Sequence, residues 1–260
     1  MSGPGRPMND GKPWCRDELV VAFDLYCRIP FQKTKSSTPE VKELANLLRR
    51  SPAAVARKLG NFGSFDPELK KRAISGLPHT SHLDRVVWEE FHKDWAKLVL
   101  LAAVVRAGLS TAPDHPELAL VLPSGPSERT RSAKLRVHQA FFRDAVLASY
   151  NNMCCVTGLP IVECLVASHV IPWSRDESLR ADPTNGLCLS ATFDRLFDRG
   201  LITVSDDMKV VVSGRLRDHP SPVVKREILD RDGQPVTPPV RFRPRTESLR
   251  WHMANVFQGS

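Results

Sequence analysis

None of the six cysteines (Cys15, Cys27, Cys154, Cys155, Cys164 and Cys188) belongs to a C-x-x-C pair. Structural zinc sites are built on such pairs, so no structural zinc is expected. No secretory signal pattern opens the chain. That argues against a disulfide scaffold and for reduced thiols in a cytoplasmic protein. The longest apolar run, Leu98 to Val105, falls far short of a membrane span, so no membrane partner is expected. An acidic excess is missing too. Lys and Arg number 37 against 29 Asp and Glu, a formal net charge of +8 with a pI of about 9.4. The sign suits a polyanionic partner, yet many basic proteins bind nothing acidic, and charge alone decides little.

What is present is enough apolar surface for a core. Hydrophobic residues make up 42% of 260 positions, room for one large domain or two modest ones. Residues 1–12 are rich in Gly, Pro and polar types and read as a disordered start. From Pro13 a helix is expected through Arg28, with Leu19, Val20, Phe23 and Tyr26 at helical spacing. Thr38-Pro39 and Ser51-Pro52 each combine an N-cap residue with proline at the first helical position. They open a second helix and a third over Ala53 to Leu59, ended by Gly60. The trio looks like a helix-turn-helix, whose last helix enters the major groove of double-stranded DNA. Arg57, Lys58 and Asn61 would then face DNA. A small bundle with a solvated basic face fits the same residues.

A short helix from Pro67 to Ser75, a Gly-Pro loop and a long helix from Leu83 to Ala107 complete a helical domain over 13–107. Trp88, Phe91, Trp95, Leu98, Leu101 and Ala102 mark the buried face of the long helix. Residues 108–134 turn to Pro and Gly and read as a linker to a second domain, 135–260. Arg129, Arg131, Lys134, Arg136 and Arg143 lead through a helix from Leu135 to Tyr150, a basic side that tracks phosphates or is simply solvated.

The stretch from Cys155 to Thr203 organises the chain. Cys155 to Gly158 reads as a strand end turning, and Leu165 to Ile171 as a strand carrying Ser168-His169. Asn185-Gly186 is a strong hairpin signal before a second strand at Leu187 to Leu189. Ser190 or Thr192 then caps a helix with Asp194 and Asp198, ended by Gly200. Beyond it, Met208 to Val212 reads as a strand, and a last helix is expected from Thr246 to Phe257, packed through Trp251 and Val256.

The segments "ASHVIPW", "DPTNGLCLS" and "FDRLFDRGLIT" resemble the HNH nucleases, specifically their bacterial restriction-endonuclease-like branch, over about residues 135–258. The resemblance implies an α+β chain: a helical N-terminal domain, then a ββα-metal nuclease domain with flanking helices. It implies His169 as general base, Asn185 as the residue holding the loop, and Asp194 as the helical metal position. Two departures stand out. Asp194 replaces the usual third histidine, though aspartate is a good oxygen ligand for Mg²⁺ or Mn²⁺. Ser168 precedes the base where many relatives carry a stronger ligand. Asp198, one turn after Asp194, is either a second ligand or a helix-end residue.

The implied chemistry is phosphodiester hydrolysis with one divalent metal, Mg²⁺ or Mn²⁺. A neutral His169 takes a proton from water, and the metal offsets charge on the phosphate and the leaving oxygen. Arg175, Arg180, Arg195 and Arg199 are placed to contact phosphates, or are solvated surface arginines. The expected role is restriction or defence, with a homodimer if both strands are cut. The alternative is a non-catalytic helix-turn-helix regulator with a decayed HNH domain, favoured by Ser168 and Asp194 and opposed by His169 and Asn185.

Overall fold

The computed structural model describes residues 8–74, 80–110 and 128–259. It divides into two compact units, residues 1–144 and 145–260. The architecture is α+β. Helices make up the described part of the first unit, and small antiparallel sheets with helices the second.

In the first unit everything packs around α1, Arg16–Arg28, whose residues Leu19 to Cys27 are all buried. Phe23 meets Phe62, Trp88 and Trp95, with ring centroids 5.0, 5.2 and 6.1 Å away. A charged residue also lies inside the helix: Asp24, 1% exposed, pairs with Arg28 and Arg106. Helices α2, Pro39–Leu47, and α3, Pro52–Gly63, begin at Thr38 and Ser51 as their Pro signals imply. The Ser51 side chain accepts the Ala54 N–H. Helix α3 runs past Gly60 to Gly63, which packs so closely on Phe31 that a Cβ there would lie 2.5 Å from the ring.

Several expectations change in this unit. Residues 1–7 of the expected disordered start lie outside the described residues. Residues 8–12 are tied down: the buried Arg50 guanidinium donates to the Asn9, Lys12 and Pro13 carbonyls and grips Glu18 at 2.7 and 2.8 Å. The helix after Pro67 is short, α4 at Pro67–Lys71, and the Gly-Pro loop at 75–79 lies outside the described residues. The long helix is two, α5 at His82–Phe91 and α6 at Trp95–Ser110. The break lies at Asp94, whose carboxylate accepts the Lys97 N–H at 2.9 Å and opens α6. Apolar spacing continues across the break, so the period alone reads as one helix. Of the expected linker, 111–127 lies outside the described residues, and from Glu128 the chain is helical, α7, Glu128–Ser149.

The largest correction concerns the expected DNA-facing set. Arg57 is exposed, but Lys58 is only 8% exposed and pairs with the fully buried Asp84 at 2.9 Å. Asn61, 5% exposed, donates to the same carboxylate. Lys58 and Asn61 therefore tie α3 to α5 rather than face a groove. Removing one partner of such a pair strands a buried charge, at a cost of about 3–5 kcal/mol.

The second unit holds the central stretch. Cys154 to Gly158 is not a strand end but a turn, with Gly158 at φ +74 and the Cys155 N–H on the Cys188 carbonyl. Strands β1, Leu165–His169, and β2, Gly186–Ser190, pair antiparallel, and α8, Ala191–Asp198, follows directly. A second pair, β3 at Ile202–Val204 and β4 at Val210–Val212, comes next. Helices α9, Pro222–Glu227, and α10, Thr246–Asn255, complete the unit. Helix α10 buries Ser248, Leu249 and His252 and leaves Trp251 half-buried, so Leu249 and His252 do the packing expected of Trp251.

Candidate functional site

The site grows from the β1–β2 pair, in which His169 stands opposite Gly186 and Ser168 opposite Leu187. Successive strand residues face opposite sides, but Ser168 and His169 are the last two residues of β1, so the groups beside each flank one strand end. The expected Asn-Gly hairpin turn does not form. Asn185 ends a 3₁₀ turn, Pro183–Asn185, and Gly186 is extended at φ −125. The strands are instead joined by the long loop from Val170 to Asn185.

That loop is clamped at its ends. The Asn185 side chain accepts the Ile171 N–H at 2.9 Å and donates to the Ile171 carbonyl at 3.0 Å. Its own carbonyl accepts the Val170 N–H at 2.8 Å. At 1% exposure the side chain amide is a purely internal fastener. The turn holding it is itself braced. Asp182 accepts from the Thr184 N–H and hydroxyl, while Arg245, far along the chain, grips Asp182 at 2.5 Å and donates its N–H to the Thr184 carbonyl.

His169 Nε2 lies 3.2 Å from the Arg180 carbonyl. A carbonyl only accepts, so Nε2 carries the hydrogen and Nδ1 the lone pair. Burial pushes the imidazole pKa down to about 4, against the opposing pull of that carbonyl, so the ring is neutral at neutral pH. The His169 and Trp173 rings meet at 88° with centroids 5.3 Å apart.

On the other side of β1, Ser168 is 2% exposed and faces α8. Its hydroxyl lies close enough to the Asp194 carboxyl to lower that group's pKa, but without a well-aligned hydrogen bond, and Oγ is a buried polar atom with no other partner. Burial dominates at Asp194 and pushes its carboxyl up, and the neighbouring Asp198 pushes the same way. Asp198 is exposed in the last turn of α8; partial desolvation there raises its carboxyl, with Arg195 and Arg199 pulling it back. Arg175, Arg195 and Arg199 are exposed.

Helix α8 is held from behind. Phe197 stacks on His252 of α10, centroids 3.7 Å apart. His252 Nε2 meets the Phe197 carbonyl at 3.2 Å, and its Nδ1 lies 2.8 Å from the Thr203 hydroxyl. Burial holds this ring's pKa down to about 4 as well. The helix ends in a paired cap: the Gly200 N–H reaches the Phe197 carbonyl and the Leu201 N–H the Leu196 carbonyl. Gly200 has φ +65, and a Cβ there would fall 2.0 Å from the Val256 carbonyl oxygen, so no other residue fits.

Thus Ser168, Asp194, Asp198, Arg195 and Arg199 come together beside α8, and His169 and Asn185 at the mouth of the loop. Arg57, Lys58 and Asn61 belong to the other unit. Among the described residues no three His, Cys, Asp or Glu side chains converge, so the candidate cation position is two carboxylates and a hydroxyl. Sequence reasoning missed Trp173, Asp182, Arg245 and His252. Arg245 and His252 act on partners 63 and 55 positions away, whereas Trp173 and Asp182 lie inside the recognised segments, beside His169 and Asn185.

Residues 154–205 match a family model described as HNH endonuclease. That span contains the Cys154 turn, both strands, α8 and β3, and the match supports an HNH nuclease domain there. The wider resemblance over 135–258 extends beyond it. A search of curated proteins found no match to the chain. Among the described residues, no helix is long and apolar enough to cross a membrane.

Proposed function

We propose that this chain is a divalent-metal-dependent DNA endonuclease that hydrolyses phosphodiester bonds, of restriction or defence type. The observation that carries the reading is the fastening of His169: a neutral imidazole of one tautomer, at the mouth of a loop clamped by Asn185. His169 Nδ1 takes the proton from the attacking water, and Nε2 stays anchored to the Arg180 carbonyl. A base needs its lone pair free of a proton at working pH, and burial ensures that here.

The residues beside α8 fit a hard cation. Ser168 Oγ lacks a good partner, and the two raised carboxyls gain from positive charge between them. All three donors are oxygens, which suits Mg²⁺ or Mn²⁺ and not a thiolate-loving ion. Asp194 is the first ligand, with Asp198 and Ser168 completing the protein's share. When bound, the ion supplies positive charge against the developing charge on the phosphate and the leaving oxygen. Arg175, Arg195 and Arg199 contact the backbone phosphates, and Arg57, exposed on α3 of the first unit, is a separate phosphate contact. Lys58 and Asn61 are not part of that set. One such site handles one strand, so cutting both calls for two copies or two successive nicks.

The test is nicking of a supercoiled plasmid by the full chain. Conversion to the open circle with Mg²⁺ or Mn²⁺, and none with chelator, is the expected result. Binding of the same plasmid without nicking, across both metals, would leave a DNA-binding protein and remove the enzyme.

A further inference from the structure

We propose that the side chains of Trp173 and Arg180 are positioning residues for His169, closing with it a ring of three contacts that keeps the Arg180 carbonyl on the imidazole. This rests on His169 being the general base. The carbonyl comes from eleven residues further along the chain, and the loop between, at 174–178, is exposed. Asn185 fastens the loop's two ends and Arg245 holds Asp182, two residues beyond Arg180, but neither touches the Arg180 side chain. An acceptor in its middle stays within hydrogen-bond reach only if its own residue is anchored.

The anchor is Trp173. Arg180 Nε donates to the Trp173 carbonyl at 3.2 Å, and the guanidinium carbon lies 5.2 Å from the indole centre. The indole in turn meets the His169 ring in a T-shaped contact, 5.3 Å between centroids. Each member therefore touches the other two: His169 the carbonyl, Arg180 the indole, Trp173 the imidazole. Arg180 is also tied to Glu177, by its N–H to the Glu177 carbonyl at 3.3 Å and by an ion pair at 2.8 Å with a carboxylate whose side chain is 83% exposed and holds little. A guanidinium stacked on an indole keeps its strength where water is partly excluded. It also faces inward, so Arg180 is committed to the loop rather than to a phosphate. Because the ends of the loop are fastened independently, opening this latch leaves the β1–β2 pair intact and frees only the imidazole.

The experiment uses the ¹⁵N-labelled full chain and two readouts. In the parent, the His169 Nε2–H should give a proton signal protected from exchange with water, assigned by its loss in His169→Gln. The His252 Nε2–H serves as an internal control. Trp173→Ala and Arg180→Ala should lose the His169 signal while β1 and β2 amides keep their positions, and Trp173→Phe should retain it. In single-turnover plasmid cleavage with Mn²⁺, each alanine variant should be slowed ~10- to 100-fold at unchanged DNA affinity, the penalty of a misplaced group. The double variant should be no slower than either single one, because the pair acts as a unit. Alanine variants that keep both signal and rate overturn the latch, as does a parent without the protected signal. A parent with the signal and no cleavage removes the nuclease reading and leaves the latch to be decided by the exchange data alone.

Discussion

The two sides of β1 differ in how completely the chain satisfies its own polar groups. On the His169 side the Asn185 amide is bonded to both the N–H and the carbonyl of Ile171, and the imidazole Nε2 has its carbonyl. On the Ser168 side a buried hydroxyl lacks a good partner, and the carboxyls of half-buried Asp194 and exposed Asp198 are both raised by desolvation. A buried polar group without a partner costs about 1–3 kcal/mol, and folds rarely keep that cost without a use. The chain alone has built one half of the site to a finished state and left the other half strained toward a positive charge. A proton-transfer group needs orientation before substrate arrives, whereas a cation-binding group needs unspent attraction.

The sharpest break in this comparison is His169→Ala. It should cut the cleavage rate ~10²–10⁴-fold with DNA affinity nearly unchanged, measured by single-turnover kinetics beside a filter-binding titration. In the parent at saturating Mn²⁺, the rate should stay level from neutral pH down to about 5 and fall as pH drops through about 4, where this imidazole takes its proton. A fall centred at the ordinary histidine value would mean that the ring is not buried as described.

Asp194→Asn comes next. Loss of the leading ligand should lower metal affinity and rate together by no less than the ~10–100-fold typical of an outer-shell change. Asp194→His should keep activity and shift preference toward Mn²⁺, Co²⁺ or Ni²⁺. Calorimetric titration of the ion with DNA present reads both. Parental binding and cutting by Asp194→Asn would move the cation elsewhere.

Asn185→Ala probes the finished side through stability. It removes both bonds to Ile171 and should cost about 1–3 kcal/mol in urea unfolding. The smallest effect belongs to Asp198→Asn. Its carboxyl sits in the last turn of α8, the unfavourable end of the helix dipole for an anion, and its raised pKa means the fold prefers it neutral. Without metal, the amide should raise stability by about 0.3–1 kcal/mol, while metal affinity falls. Stability gained without any loss of affinity would make Asp198 a helix-end residue only.

Much of this was legible in order but not in geometry. The Pro-marked helix starts at Thr38 and Ser51 follow from local chemistry and held. So did the strand, loop, strand, helix sequence and its Gly200 stop, because caps and turns are decided by neighbours in the chain. The Asn-Gly pair misled, since a hairpin turn and a clamped 3₁₀ turn share those residues and only the length of the loop distinguishes them. Lys58 looked like a groove contact because its partner Asp84 lies 26 positions away. The break at Asp94 was hidden by apolar spacing that runs straight through it. Ser168 read as a weak ligand, yet nothing in the sequence shows that its hydroxyl is buried beside Asp194.

The grip of Arg245 on Asp182 spans 63 positions, and that of His252 on Phe197 spans 55. During synthesis, the turn that holds Asn185 and the helix that holds Asp194 are therefore made long before the residues that brace them. Until the segment around Arg245 and His252 has left the ribosome, the nascent chain carries Asn185 and Asp194 without the contacts that brace their turn and helix. A nuclease reading makes that timing useful: the cutting site matures only after the first unit and the segment around Arg245 and His252 have both been made.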